Sequence, residues 1–161
     1  MIAVDANVLM PLLREDALTS MARAVRAADP DWVMPSLLKT ELVNALLNEV
    51  KVGYLTLESA MQAAGLAGEI VAAARVQDPR LTEVLVTAHR SGLTAYDASY
   101  VVLARSLGVL LVTEDKQILR ACPDVARSMQ QFLSPPESPL AVREKRAEYM
   151  TARRGGKRAK V

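Results

Sequence analysis

Four carboxylates, Asp5, Glu41, Asp97 and Asp115, stand out in this 161-residue chain because each falls where a predicted strand ends or a predicted helix begins. In open parallel sheets those positions share one edge, beyond the carboxyl ends of the strands, and ligands collect there. Four acids brought to one edge would repel and raise one another's pKa values unless a cation lay between them. An all-oxygen set without His or Cys suits Mg2+, with Mn2+ as a substitute, rather than zinc. A carboxylate cage holding one or two hard divalent ions is a means of phosphodiester hydrolysis, in which metal-activated water attacks. Other chemistries lack their parts. The single histidine, His89, sits in an amphipathic helical stretch away from this edge and reads as a surface or packing residue. It leaves no Ser-His or Cys-His pair for acyl transfer. There is also no P-loop and no GxGxxG turn after a strand.

The elements that must position these acids follow from apolar periodicity. Residues 1–4 form an apolar run ending at Asp5, and helical patterns cover 8–13 and 18–28. Trp32 to Met34 reads as a second strand, after which Pro35-Ser36 opens a helix that runs to Gly53. Residues 55–75 look helical, 76–79 a short strand or turn, and 81–91 a helix capped by Gly92. A helix over 96–107 ends at Gly108, residues 109–112 are β-rich, 116–121 are helical, and 125–132 are ambiguous. Strands alternating with helices indicate an α/β fold with a central, mainly parallel sheet covered on both faces.

Taken singly, three of the acids have simpler readings. Thr94-Ala-Tyr-Asp97 satisfies the capping-box template, Asp115 could be an N-cap, and Asp5 could end a strand at water. Glu41 is different: past the helix start, beside Leu37 and Leu38, an ionised carboxylate calls for compensation.

At 51% apolar residues the chain has ample material for one domain's core. Cys122 is the only cysteine, so an internal disulfide framework and a CxxC zinc cluster are excluded. With no leader-like segment and no apolar run of ~18 residues, the expectation is a cytoplasmic protein without a membrane partner. The net charge of +2 hides an asymmetry: residues 134–161 carry eight Lys/Arg against three Glu, whereas residues 1–133 sum to −3. Three prolines within 134–139 break the α/β regime. The division is therefore a compact domain over 1–133, then a Pro-rich linker and basic tail over 134–161, with a helix candidate at 140–154. Such a tail suits contact with a polyanion, or is simply a solvated extension.

The segments Met1-Ile-Ala-Val-Asp5-Ala-Asn7-Val-Leu, Pro35-Ser-Leu-Leu-Lys-Thr-Glu41, Leu93-Thr-Ala-Tyr-Asp97-Ala-Ser-Tyr and Leu111-Val-Thr113-Glu-Asp115, in this order, resemble the PIN-domain ribonucleases. Within them the likeness is to the VapC-like toxins of type II toxin–antitoxin systems, over residues 1 to about 133. The resemblance implies a three-layer α/β/α sandwich, a homodimer, and metal-dependent endonucleolytic cleavage of structured RNA such as tRNA or rRNA. It also implies inhibition by a cognate antitoxin protein. By position it makes Asp5, Glu41, Asp97 and Asp115 the acidic quartet. Asp5, Asp97 and Asp115 would be the metal ligands and Glu41 would orient the attacking water, while Asn7 and Thr113 would support the quartet by hydrogen bonding. The tail beyond Pro135 departs from the compact family core.

Two rivals remain at this level. A haloacid-dehalogenase-like phosphatase also starts with a strand ending in Asp, but it needs a second Asp two residues on, where this chain has Asn7. A catalytically silent PIN fold serving as an RNA-binding or protein-interaction module shares every fold-level feature. Aromatic residues are few, which argues against base stacking as the main mode of RNA recognition. Phosphate contacts through Arg14, Lys39, Lys116 and the tail are the alternative.

Overall fold

Strand β1 (Ile2–Val4) is buried throughout and feeds α1 (Ala6–Leu13) and α2 (Thr19–Ala28). Strand β2 (Trp32–Met34) is followed by α3 (Leu38–Lys51), α4 (Leu57–Ala72) and the exposed edge strand β3 (Arg75–Val76). Then come α5 (Leu81–Ser91), α6 (Ala95–Leu107), β4 (Leu111–Val112), α7 (Lys116–Ala121), β5 (Ala126–Arg127) and α8 (Met129–Leu133). This computed structural model describes residues 1–134. Apart from Ser134, the expected linker and basic tail lie outside the described residues, as does the helix candidate at 140–154.

The five strands form one parallel sheet in the order β3-β2-β1-β4-β5. Parallel neighbours need crossovers, which are almost always right-handed. The chain steps one way from β1 to β3 and the other way from β3 to β5, so α1 to α4 cover one face and α5 to α7 the other. The packing agrees: α1 meets α2, α3 and α4, α6 lies against β1 and β4, and α8 returns to α2. The result is the three-layer α/β/α sandwich. Strands covered on both sides should be apolar at every position, and β1, β2 and β4 are fully buried.

The direction of winding reverses between β1 and β4, where Ala3 pairs with Leu111 and Val4 with Val112. Such a switch point leaves a crevice at the carboxyl edge because the two crossovers depart to opposite faces. The main core spans Trp32, Leu9, Met34, Leu38 and Leu103. A separate small cluster of Val84, Ala98 and Val102, with Ala88 against it, holds α5 to α6. Helices α5 and α6 end on Gly92 and Gly108, whose φ values of +71° and +65° are left-handed and explain the glycines. Cys122 is free and buried, and His89 is exposed on α5, in line with the surface reading. Among the described residues no helix is long and apolar enough to cross a membrane.

Candidate active site

Asp5 follows β1 immediately and is only 8% exposed, so the crevice between β1 and β4 begins with a carboxyl group. The Asp5 N–H donates to the Val112 carbonyl at 3.2 Å, which continues the β1–β4 ladder and sets Asp5 beside Thr113. Asp5 Oδ2 accepts from the Thr113 hydroxyl at 2.6 Å and from the Asn7 amide at 2.7 Å. Asn7 Oδ1 in turn accepts from the Glu114 N–H at 3.0 Å. Asn7 and Thr113 thus tie the end of β1 to the loop after β4.

Both donors to Asp5 are neutral, and among the described residues Asp5, Glu41, Asp97 and Asp115 make no ion pair with Lys or Arg. Burial, chiefly, and then the charges of Glu41 and Asp97 push the Asp5 carboxyl up to about 6, against the lowering effect of the Thr113 bond. Glu41 is half-buried on the first turn of α3, and it is raised mainly by desolvation and further by Asp97. Its compensation is a phenol rather than a counter-charge: the Tyr100 hydroxyl donates to Glu41 Oε2. Tyr100 is 1% exposed in the middle of α6. Burial, the Asp5 charge and the bond to Glu41 raise its pKa well above the ordinary phenol range, so its proton stays in place. A buried tyrosine oxygen needs a polar partner, which Glu41 supplies, and no spacing in the sequence marks Tyr100 for this role.

Asp97 stands on the first turn of α6. Its N–H donates to Thr94 Oγ1 at 3.2 Å, and its Oδ2 accepts from the Thr94 hydroxyl at 2.7 Å. The Thr94 half of the anticipated capping box is therefore formed, the Asp97 carboxylate meeting the Thr94 hydroxyl rather than its backbone N–H, and Asp97 acts electrostatically on both Asp5 and Glu41. Asp115 behaves differently. It is the N-cap of α7, its Oδ1 accepting from the N–H groups of Gln117 and Ile118 at 2.6 and 2.9 Å. Its own N–H donates to Thr113 Oγ1, which places it next to the Asp5 network, but it is not among the charges that raise Asp5 or Glu41. The sequence places four acids on one edge, and the structure couples three of them and holds the fourth beside them as a helix cap.

Among the described residues, no group of three or more His, Cys, Asp and Glu side chains forms a ready-made metal set. The donor chemistry nevertheless fits a hard divalent cation: carboxylates only, one of them buried, and among the described residues no Lys or Arg paired with them. Mg2+ commonly binds through one or two carboxylates and keeps several waters, so a closed protein cage is not required. Of the basic residues considered for phosphate contacts, Arg14 is engaged by Glu49 at 3.1 Å and Asp16 at 3.6 Å, while Lys39 and Lys116 are exposed.

Residues 2–122 match the family described as PIN domain. A stretch of 44 residues is 52% identical to Exonuclease VapC9 of Pyrobaculum aerophilum, covering 27% of this chain and 33% of that protein. The chain thus matches about a third of that relative's length. The fold is similar to the crystal structure of PAE2754 from Pyrobaculum aerophilum, with a TM-score of 0.65 and 31% identity over 82% of this chain and 92% of that one.

Proposed function

Because this chain belongs to the PIN domain family, we propose that it is a metal-dependent endoribonuclease of the VapC type, the toxin component of a type II toxin–antitoxin system. The observation that carries this reading is the coupled group Asp5, Glu41 and Asp97 at the sheet's switch point, buried at Asp5 and, among the described residues, uncompensated by any basic side chain. An anionic cluster held only by neutral donors costs folding energy and serves chiefly to bind a cation.

In this reading Asp5 and Asp97 hold Mg2+ or Mn2+, with Asp115 completing the set from the start of α7. When bound, the ion neutralises the cluster and polarises the scissile phosphodiester and the attacking water. Glu41 orients that water and takes its proton. Tyr100 fixes one Glu41 oxygen by donation and leaves the other to the water. Thr113 and Asn7 hold Asp5 Oδ2 so that the carboxylate does not swing. The partners are a structured RNA such as tRNA or rRNA, a second copy of the chain, and a cognate antitoxin, all within the cytoplasm. The exposed apolar side chains of Val43 and Leu47 on α3 and of Met61 and Leu66 on α4 support a protein partner.

The test is cleavage of a circular RNA by the full-length protein. Wild type should open the circle with Mg2+ or Mn2+, stop with EDTA, and lose activity by at least ~100-fold in Asp97→Asn. A circle left intact while linear RNA is shortened from its ends would replace the endonuclease by an exonuclease. Cleavage that persists under EDTA and in Asp97→Asn would remove the metal-dependent site. If the silent-module reading holds, RNA binds and no chain is cut.

A further inference from the structure

Beside the acidic cluster lies a second cavity, of about 530 Å3, lined by Leu37, Thr40, Glu41, Asn44 and Tyr96. Its volume is within the ~300–1,000 Å3 range of small-molecule pockets. It shares Glu41 with the cluster, and Tyr96 directly precedes Asp97, so anything seated there is next to the proposed reaction centre. Trp32 and Tyr100 are buried in the core, whereas Tyr54, away from this cavity, and Tyr96, at the start of α6 and in its lining, are 80% and 65% exposed.

The lining defines what fits. Among the described residues it contains no Lys or Arg and its one charged group is the Glu41 carboxylate, so it repels a phosphate and suits a neutral group. Leu37 and the Tyr96 ring offer apolar surface. Asn44 offers an amide with two donor hydrogens and an acceptor oxygen, and the Thr40 hydroxyl can do either. A neutral, planar ligand with donors and acceptors on its edge is a nucleobase. The ring stacks on its face, while the amide and hydroxyl meet its edge. Stacking of this kind needs a base free of its partner, because a paired base in a helix presents no open face.

From this we infer that the cavity is a nucleobase subsite, in which Tyr96 stacks an unpaired base of the RNA strand next to the bond to be cut and Asn44 reads that base's edge. The inference deepens the nuclease reading and rests on it for the identity of the strand. It narrows the substrate from structured RNA in general to a single-stranded loop or bulge within it. With few aromatic residues arguing against stacking as the main mode of RNA recognition, this subsite is one stacking contact beside the phosphate contacts.

Binding and cleavage separate the two ideas. A short single-stranded RNA containing 2-aminopurine is titrated with full-length Asp5→Asn protein in Mg2+, alone and combined with Tyr96→Ala, Tyr96→Phe or Asn44→Ala. The fluorescence should be quenched on binding. Tyr96→Ala should weaken binding about 5- to 150-fold and abolish the quench, whereas Tyr96→Phe restores both. Asn44→Ala should change the preference among the four bases, and the same RNA annealed to its complement should bind without Tyr96 dependence. In the otherwise unaltered protein, Tyr96→Ala should raise KM while the melting temperature stays put. Equal single-strand affinity for Tyr96→Ala and its parent, absence of binding, or Tyr96→Phe as weak as Tyr96→Ala would overturn the subsite. A Tyr96-dependent quench in a protein whose wild type cuts no RNA would keep the subsite and remove the nuclease.

Discussion

Replacing Asp5 by Asn should stabilise the metal-free protein, and the size of the gain follows from the carboxyl's surroundings. Burial and the neighbouring Glu41 and Asp97 charges raise its pKa from 3.8 to about 6, and this difference corresponds to ~3 kcal/mol. The sign follows from which state holds the proton. Between these two values the folded state is protonated at Asp5 and the unfolded state is not, so folding takes up a proton. The Asp5 contribution to stability is therefore fully present below pH 3.8 and is lost as the pH rises through about 6. At pH 8 the wild type carries the whole penalty and Asp5→Asn carries none. The asparagine oxygen can still accept from Thr113 and Asn7, while its amide nitrogen faces a polar site in which an unmet donor costs ~1–3 kcal/mol. A net gain of up to ~2 kcal/mol remains, or a few degrees in Tm for a chain of this length. Urea unfolding of both proteins in EDTA at pH 8, 6 and 4 measures it, and the gap should close towards pH 4. Excess Mg2+ should reverse the order, adding ~2.7 kcal/mol to the wild type at a hundredfold excess over Kd and less to the variant. A metal-free Asp5→Asn protein no more stable than wild type at pH 8, or a gap that ignores pH, would refute the claim that the site stores charge repulsion.

Two further substitutions separate roles that the geometry assigns. Tyr100→Phe removes only the hydroxyl that donates to Glu41, so kcat should fall ~10-fold or more with KM and Mg2+ affinity held, and stability should drop by ~1–2 kcal/mol. A parallel change in metal affinity by calorimetry would mean that the phenol serves the whole cluster rather than Glu41. At Asp115, Ala should cost ~1 kcal/mol through the lost cap on α7, whereas Asn should keep the cap and its thermal midpoint. If Asp115→Asn retains full Mg2+-dependent cleavage, Asp115 is a cap alone and leaves the proposed ligand set.

The strong apolar runs marked their elements well. Residues 1–4 and Trp32 to Met34 stand as strands, and Gly92 and Gly108 end their helices in the left-handed conformation that their identity suggests. The less legible parts have specific causes. The strand expected over 109–112 shrinks to Leu111–Val112 because the Val109 N–H closes the end of α6 on the Ala104 carbonyl. The helix expected over 55–75 starts after Thr56, whose side chain caps it through the Ser59 N–H, and it stops in time for Arg75 to join β3. An exposed edge strand of two residues carries no apolar signal. The ambiguity over 125–132 dissolves at Ser128, where a capping box with Gln131 divides β5 from α8. At the site, Asp5, Glu41 and Asp97 were readable because topology alone sends them to one edge. The two readings of Asp115 could not be separated without its side-chain bonds. Tyr96 and Tyr100 were hidden in plain composition, since neither exposure nor a hydroxyl's partner can be read from spacing.

The bond between Asp5 and Thr113 joins residues 108 positions apart. A chain emerging from the ribosome therefore carries its first acid long before it possesses the strand that locks that acid in place. Until β4 is made and slots in beside β1, the crevice has only one wall and Asp5 has lost its firmest anchor. A product that ends before Leu111 lacks β4 and the Thr113 hydroxyl, and so cannot complete the network around Asp5.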